Sequence, residues 1–115
     1  MFIAAIVVSA LLAALLLVSA QGKLTRDQRQ LKTMALVGFP ENRLWLLASA
    51  EAAGAVGLVV GLFWWPLGIA AAAGVIAYFT GASAAHLRVR DWNVTAPVVL
   101  LAAAAAALVL RALSA

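Results

Sequence analysis

One acidic residue, Glu51, lies in the middle of a long apolar stretch of this sequence. Its neighbours from residue 44 to residue 58 are otherwise apolar or small. A carboxylate at the depth of a lipid bilayer costs several kcal/mol unless it is protonated, paired or hydrated. Such a group can exchange a proton or bind a polar partner, or it can be a structural tie to a cationic side chain or a backbone group. Glu51 is therefore the first candidate for a functional residue.

Further polar residues follow two other apolar stretches. Lys23 follows the first of them, and His86, Arg88 and Asp91 follow a later one. We expect these four residues and Glu51 to converge on one polar, cytoplasm-facing vestibule, because Glu51 lies only roughly 12 Å along its helix from the same side. Glu51 would stay ionised beside Lys23 or Arg88, and it would favour its protonated form if it stood alone. The sequence leaves this choice open.

Each of these residues also has a simpler interpretation. His86 can be a helix-terminal histidine that the helix dipole favours. Arg88 can be a determinant of membrane topology, and Lys23 can be an interfacial residue whose ammonium group reaches the membrane surface. Tyr78 is interpreted as a packed, hydrogen-bonded core residue.

Several kinds of chemistry are excluded by composition. The chain has no cysteine, which excludes thiol redox chemistry, disulfides and thiolate metal sites. Its one histidine cannot by itself form a zinc site or a bis-histidine haem site. We therefore expect no metal site, and the sequence favours no catalytic residue.

The composition predicts an integral membrane protein. Hydrophobic residues make up 67% of the chain and charged residues 10%, more apolar surface than a soluble domain of this size can bury. We expect one membrane domain over residues 1–115, embedded in membrane lipids. The net charge of +4 then reports membrane topology and does not indicate a nucleic-acid partner.

Hydropathy predicts an all-α fold, a bundle of four transmembrane helices. The expected spans cover about residues 2–20, 44–65, 66–86 and 94–113. A signal peptide is the alternative for the first span, because Val18-Ser19-Ala20 resembles a cleavage site. Pro66 and Pro97 fit the first turns of the third and fourth helices. Trp64 and Trp65 mark an interface, so spans two and three should form a tight antiparallel hairpin.

The basic loop over residues 21–43 is the long connection. Thr25 and Gln28 have capping-box spacing, and Leu24, Leu31 and Ala35 repeat at helical spacing. This pattern predicts a short amphipathic helix at the membrane interface that ends before Gly38 and Pro40. The alternative is a solvated basic loop.

Basic residues predict the orientation. They are concentrated in the first and third loops, at Lys23, Arg26, Arg29, Lys32, Arg43, Arg88 and Arg90. The positive-inside rule places these loops in the cytoplasm and both termini outside. The alanine-rich, arginine-rich composition suggests a bacterial genome, and hence the bacterial inner membrane.

Small residues mark the predicted helix-packing faces. Gly54, Gly57 and Gly61 repeat at helical spacing after Glu51, so Glu51 should point into the bundle rather than towards lipid. Gly74 and Gly81 form a similar stripe in the third span. A polyalanine segment in the fourth span also permits close approach of neighbouring helices.

An ordered set of motifs resembles the DoxX-like family over nearly the whole chain. In chain order the motifs are Gly22-Lys23-Leu24, Gly38-Phe39-Pro40, Glu51-x-x-Gly54-Ala-Val-Gly57-Leu58, Pro66-Leu-Gly-Ile-Ala-Ala and Gly81-Ala-Ser-Ala-Ala-His86-Leu-Arg88-Val-Arg-Asp91. The resemblance implies a four-helix membrane bundle with Lys23, Glu51, His86 and the turn over residues 88–91 as its characteristic polar positions. It also implies a link to quinone-coupled sulfur oxidation and membrane redox assemblies in some relatives, and to assembly of membrane proteins in others.

Three functions are compatible with these features. The first is a non-catalytic subunit or assembly factor of a larger membrane complex, with other membrane subunits or a second copy as partner. The second is a membrane protein that binds a quinone-like or lipid-like molecule, with Glu51 and His86 as its polar groups. The third is a small proton-coupled transporter. The chain lacks an evident cofactor ligand set, so an autonomous oxidoreductase is not favoured.

Overall fold

The fold is all-α, as predicted. The computed structural model describes residues 2–25, 27–89 and 95–115, and this part of the chain contains five α-helices. They are α1 (Phe2–Leu24), α2 (Gln28–Val37), α3 (Leu44–Val60), α4 (Trp65–Arg88) and α5 (Thr95–Leu113), with a short 3-10 turn, Glu41–Arg43, before α3.

The four long helices form a closed ring. α1 packs against α3 and α5, and α4 packs against the same two helices. Their buried side chains form one core, to which α1 contributes Leu12 and Leu16, α3 contributes Leu58 and α4 contributes Phe79. Large apolar side chains cover the outside of the ring, Ile3 and Val56 among them. An apolar exterior around a packed core is the arrangement expected of a protein surrounded by lipid.

Among the described residues, three helices are long and apolar enough to cross a membrane, namely α1, α4 and α5. The fourth, α3, is apolar but has 17 residues, which span about 26 Å. The hydrocarbon core is roughly 30 Å thick. The structure therefore has three helices of crossing length and one shorter apolar helix where four spans of crossing length were predicted.

The α3–α4 hairpin has a longer turn than predicted, with residues 61–64 between the two helices. α3 ends at Val60, whereas its span was expected to reach residue 65. Leu62 N and Phe63 N donate to carbonyl groups three residues earlier, at 3.1 and 3.0 Å, which replaces the α-helical pattern by a tight turn. Pro66 lies in the first turn of α4, as predicted. The early end of α3 brings the backbones of the two helices together at the turn.

The basic loop does contain a helix, α2, but the predicted cap is wrong. The Thr25 hydroxyl donates to the Gln21 carbonyl oxygen at 2.8 Å, so it closes the last turn of α1 and does not cap α2. As a result α1 continues to Leu24, beyond the expected end at residue 20. α2 ends before Gly38, whose φ of +79° is the left-handed conformation that glycine adopts readily after a helix. α2 contacts both α1 and α4.

Candidate functional site

The centre of the site is a buried ion pair between α1 and α3. Lys23 Nζ lies 2.6 Å from Glu51 Oε1, and the exposed fractions of the two side chains are 7% and 0%. The same ammonium group donates to Ser19 Oγ at 2.9 Å, one helical turn earlier in α1. Of the two cationic partners that the sequence left open for Glu51, the structure therefore selects Lys23.

A third helix contributes to the ion pair. The Tyr78 hydroxyl in α4 donates to Glu51 Oε1 at 3.0 Å, so a single carboxylate oxygen accepts from both the ammonium and the phenol. Glu51 Oε2 is buried and has no hydrogen-bond partner within the described chain. Removing one partner of a buried pair leaves an uncompensated charge. Glu51 therefore holds α1 and α4 to α3 through polar contacts in an otherwise apolar bundle.

The glycines of α3 explain how the hairpin is built. A Cβ atom added at Gly61 would collide with the backbone of Gly68, and one added at Gly57 would lie 2.8 Å from Ala71 Cβ. Both contacts are closer than real Cβ atoms adopt. Only glycine at these two positions allows α3 and α4 to approach this closely near the turn.

The same antiparallel register leads to the ion pair. One step further from the turn, Gly54 lies opposite Val75, whose Cγ2 atom would be 3.0 Å from an added Cβ. The next step pairs Glu51 with Tyr78, which is the observed hydrogen bond. Each move of three or four residues back along α3 is matched by three or four residues forward along α4. The glycine contacts thus determine which residue of α4 faces Glu51.

Two other predicted packing glycines behave differently. Gly74 and Gly81 are exposed, and a Cβ added at either would meet no atom within 4 Å. Within the described chain, no neighbouring helix therefore packs directly against these two glycines. Their packing role remains a prediction for a contact with another chain.

A large cavity lies beside the ion pair. It has a volume of about 1300 Å³, and its lining comes from the ends of α1 and α4, from α2, from Leu47 of α3 and from the start of α5. Most of the lining is apolar, with Phe79 and Pro97 as examples, while Lys23, Tyr78 and His86 are among its polar residues. Small-molecule sites in proteins typically combine such an apolar cavity with a few polar groups.

A second, smaller crevice lies between α3 and α4. Its volume is about 430 Å³, and Glu51, Gly54 and Gly57 line it together with residues of α4. Tyr78 lines both spaces, whereas Lys23 lines the large cavity and Glu51 the crevice. The ion pair and the Tyr78 hydroxyl therefore lie between the two spaces.

The remaining predicted site residues occupy different places. His86 is buried and lines the large cavity. Arg88 is exposed, and its Nη2 donates to the Val37 carbonyl oxygen at 3.2 Å. This bond joins the end of α4 to the last residue of α2, where a cation complements the helix dipole. Arg88 is not among the described residues that line the cavity. Asp91 lies outside the described residues.

Sequence reasoning assigned no site role to Ser19 or Tyr78. The signal for Ser19 was its position one turn before Lys23, since residues four apart share a helix face. The signal for Tyr78 was the glycine register of the hairpin, carried one step further to Glu51. The second signal becomes usable only when the close approach of α3 and α4 is known.

A buried arginine at the opposite end of the bundle was also missed. Arg111 Nε donates to the Gly61 carbonyl oxygen at 2.9 Å, and Nη1 donates to Ser114 Oγ at 2.9 Å. Its guanidinium carbon lies 5.4 Å from the ring centroid of Phe2, within cation–π range. The signal was its spacing from Ala107, which lies on the same buried face of α5.

The described residues contain no group of three or more His, Cys, Asp and Glu side chains that could hold a metal ion. The described side chains can form hydrogen bonds and ion pairs at one end of an apolar cavity. Such a site can orient a polar head group while the apolar lining holds a hydrocarbon tail.

Comparison with known proteins identifies a family for most of the chain. A family model described as the DoxX-like family matches residues 7–108. No curated protein and no solved structure matches the chain. The matched segment includes the ion pair, the hairpin and the residues that line the large cavity.

Proposed function

Since the chain belongs to the DoxX-like family, we propose that it binds a quinone-like or lipid-like molecule in its large cavity. The observation that carries the proposal is the cavity of about 1300 Å³, which is mostly apolar and has Lys23, Tyr78 and His86 among its lining. An apolar tail would pack along α4 and α5, and the polar head would lie near Lys23 and Tyr78.

The polar end of the cavity is preorganised for such a head group. Lys23 and Tyr78 are both held by Glu51, at 2.6 and 3.0 Å. Fixed donors and acceptors bind a ligand without the entropic cost of ordering them at the moment of binding. In this proposal Lys23, Tyr78 and His86 contact the ligand, and Glu51 is a positioning residue.

The proposed topology is four membrane crossings with both termini outside the bacterial inner membrane, in one domain over residues 1–115. α3 together with its flanking turns would supply the short crossing. The cavity supports this arrangement, because residues of α2, the end of α1 and the start of α5 line one common space. The first and third loops are therefore at the same end of the bundle, the end at which basic residues predict the cytoplasm.

Labelling tests the topology directly. The chain has no cysteine, so single-cysteine variants report accessibility without a background. An impermeant maleimide added to intact cells should label Phe63→Cys in the hairpin turn and Ala115→Cys, and it should not label Asn42→Cys before α3. Labelling of Asn42→Cys alone would indicate the opposite orientation, with the basic loops outside.

Mass spectrometry of the purified protein tests ligand binding. After mild extraction, a quinone or a lipid should remain bound in stoichiometric amount, and its mass distinguishes the two. Ala85→Phe places an aromatic ring at a residue that lines the cavity and should abolish retention of the molecule. Ala84→Phe, at the exposed neighbouring position, is the matched control and should retain it. Equal ligand content in both variants would contradict the proposal.

A second candidate function is supported by an exposed face of α4. Gly74, Ala77, Gly81 and Ala84 are all exposed and share one face at helical spacing. Small residues on a membrane helix allow another helix to approach closely, so this face suits a partner subunit or a second copy of the chain. This observation favours a non-catalytic subunit or assembly factor.

The two functions can be tested separately. Ala77→Leu should remove a co-purifying membrane protein, or convert a dimer into a monomer, without changing the ligand content. Ala77 is not among the residues that line either cavity. Ala84 is likewise absent from both linings, so if the partner stays bound to Ala77→Leu and to Ala84→Leu, this face is not the interface.

A further inference from the structure

We infer that the large cavity selects uncharged amphipathic molecules over anionic ones, because the charged groups at its polar end neutralise each other. The inference rests on the proposed ligand-binding function and adds the charge class of the ligand. A hydroxyl or carbonyl head on a hydrocarbon tail fits this class. A phosphate or carboxylate head does not.

The first argument is the charge of Lys23. A lysine that lines a cavity would ordinarily attract an anion, but this ammonium lies 2.6 Å from Glu51 Oε1 and both side chains are buried. Two opposite charges at this separation attract strongly where water is excluded. An anionic head group would have to displace Glu51 or place a second negative charge beside it, and either change leaves a buried charge uncompensated.

The second argument is the remaining hydrogen-bond capacity. An ammonium group has three donors; those of Lys23 serve Ser19 Oγ and Glu51 Oε1, which leaves one for a ligand oxygen. The Tyr78 hydroxyl gives its proton to Glu51, so its oxygen can only accept. One donor beside one acceptor matches a hydroxyl group, which both donates and accepts, and the donor alone matches a carbonyl oxygen.

The third argument is the charge of the remaining lining. Among the described residues that line the cavity, the formally charged side chains are Lys23 and Asp27. Asp27 is acidic and adds no attraction for an anion. Arg88, the nearest arginine along α4, donates to the Val37 carbonyl at 3.2 Å and is not among the lining residues that the structure describes. With histidine counted as neutral, Lys23 is therefore the formal cation of the described lining, and Glu51 neutralises it.

A matched ligand pair tests this inference. Farnesol and farnesyl phosphate have the same hydrocarbon chain and differ in the charge of the head group. Binding of each to the full-length protein in nanodiscs of uncharged lipid is measured by native mass spectrometry, with Ala85→Phe as the blocked-cavity control. We expect the wild-type protein to bind farnesol at least about tenfold more tightly than farnesyl phosphate.

Two variants identify the cause of the preference. Glu51→Gln removes the negative charge and keeps the shape of the side chain, so it should shift the ratio towards farnesyl phosphate by about tenfold or more. The double variant Lys23→Gln/Glu51→Gln restores neutrality and should return the preference to farnesol. A Glu51→Gln protein that folds and keeps the wild-type ratio would overturn the charge argument.

The ratio of farnesol affinity to farnesyl phosphate affinity in the wild-type protein tests the inference even if the variants do not fold. Equal or tighter binding of farnesyl phosphate, blocked by Ala85→Phe, would overturn the selection of uncharged molecules and leave the ligand-binding function standing. If neither molecule binds and no native ligand is retained, the proposed function itself fails.

Discussion

The two ends of the bundle each bury a cation, but they differ in what satisfies it and in the space around it. At the end where α1 and α4 terminate, Lys23 pairs with a carboxylate beside a cavity of about 1300 Å³. At the hairpin end, Arg111 donates to a backbone carbonyl and to a hydroxyl group, both at 2.9 Å. There the α3 and α4 backbones are in contact at Gly61 and Gly68.

This difference indicates two roles for polar groups in one apolar bundle. Arg111 occupies the space beside Gly68, with its Cγ atom 3.1 Å from an added Cβ, and it satisfies the carbonyl oxygen of Gly61 at the end of α3. Arg111 therefore fills the space between the helices at this end of the bundle. Lys23 and Glu51 neutralise each other's charge and leave the neighbouring space open. The open end is therefore the candidate site, and the closed end fixes the hairpin register that places Glu51 opposite Tyr78.

The largest effect should come from breaking the ion pair. Glu51→Ala leaves the Lys23 ammonium buried without its carboxylate, which should lower the free energy of unfolding by about 3–5 kcal/mol. Thermal or denaturant-induced unfolding in detergent measures the change. The double variant Lys23→Ala/Glu51→Ala removes both charges and should recover a large part of the loss. A double variant that is as unstable as the sum of the single variants would contradict the coupling of the pair.

The second largest effect should come from disrupting the contact between α3 and α4 at the hairpin end. Gly61→Ala introduces a Cβ atom against the Gly68 backbone, which cannot move aside as a flexible side chain can, so we expect a loss of about 3 kcal/mol. Gly74→Ala is the matched control, because its added Cβ would meet no atom within 4 Å and alanine favours a helix. Similar losses in the two variants would show that the Gly61–Gly68 contact has no special role.

A smaller effect should follow at the open end from removing one hydroxyl group. Tyr78→Phe keeps the ring but removes the donor to Glu51, and hydrogen bonds to charged groups contribute about 2 kcal/mol. The variant should bind farnesol more weakly and retain the oligomeric state of the wild type. If both ligand affinity and unfolding are unchanged, Tyr78 is not part of the site.

The smallest effect is expected from a change at Arg111, and it should distinguish the role of this cation from that of Lys23. Arg111→Lys keeps the positive charge but cannot reproduce the fork of guanidinium donors, so one hydrogen bond is lost at a cost of about 1 kcal/mol. The unfolding midpoint should fall while the ratio of farnesol to farnesyl phosphate affinity stays at the wild-type value. A change in that ratio would mean that the two ends of the bundle are coupled.

Local features of the sequence were enough to predict much of the fold. Apolar segments of crossing length predicted a membrane protein, Pro66 predicted the start of α4, and the helical spacing in the basic loop predicted α2. These predictions succeed because membrane insertion and helix initiation depend on residues that are close together in the chain. The end of α3 was predicted less well, because the turn depends on the contact between Gly61 and Gly68.

The sequence by itself determined that Glu51 needs a partner, because a lone carboxylate in hydrocarbon is too costly. It also determined the glycine stripe that turns Glu51 into the bundle. Only the tertiary structure decided that the partner is Lys23 rather than Arg88, that Tyr78 completes the site and that Arg111 closes the other end. These choices depend on the order of helices around the ring and on their relative depths. The cavity, likewise, is formed by several helices together, so no single helical segment of the sequence predicts it.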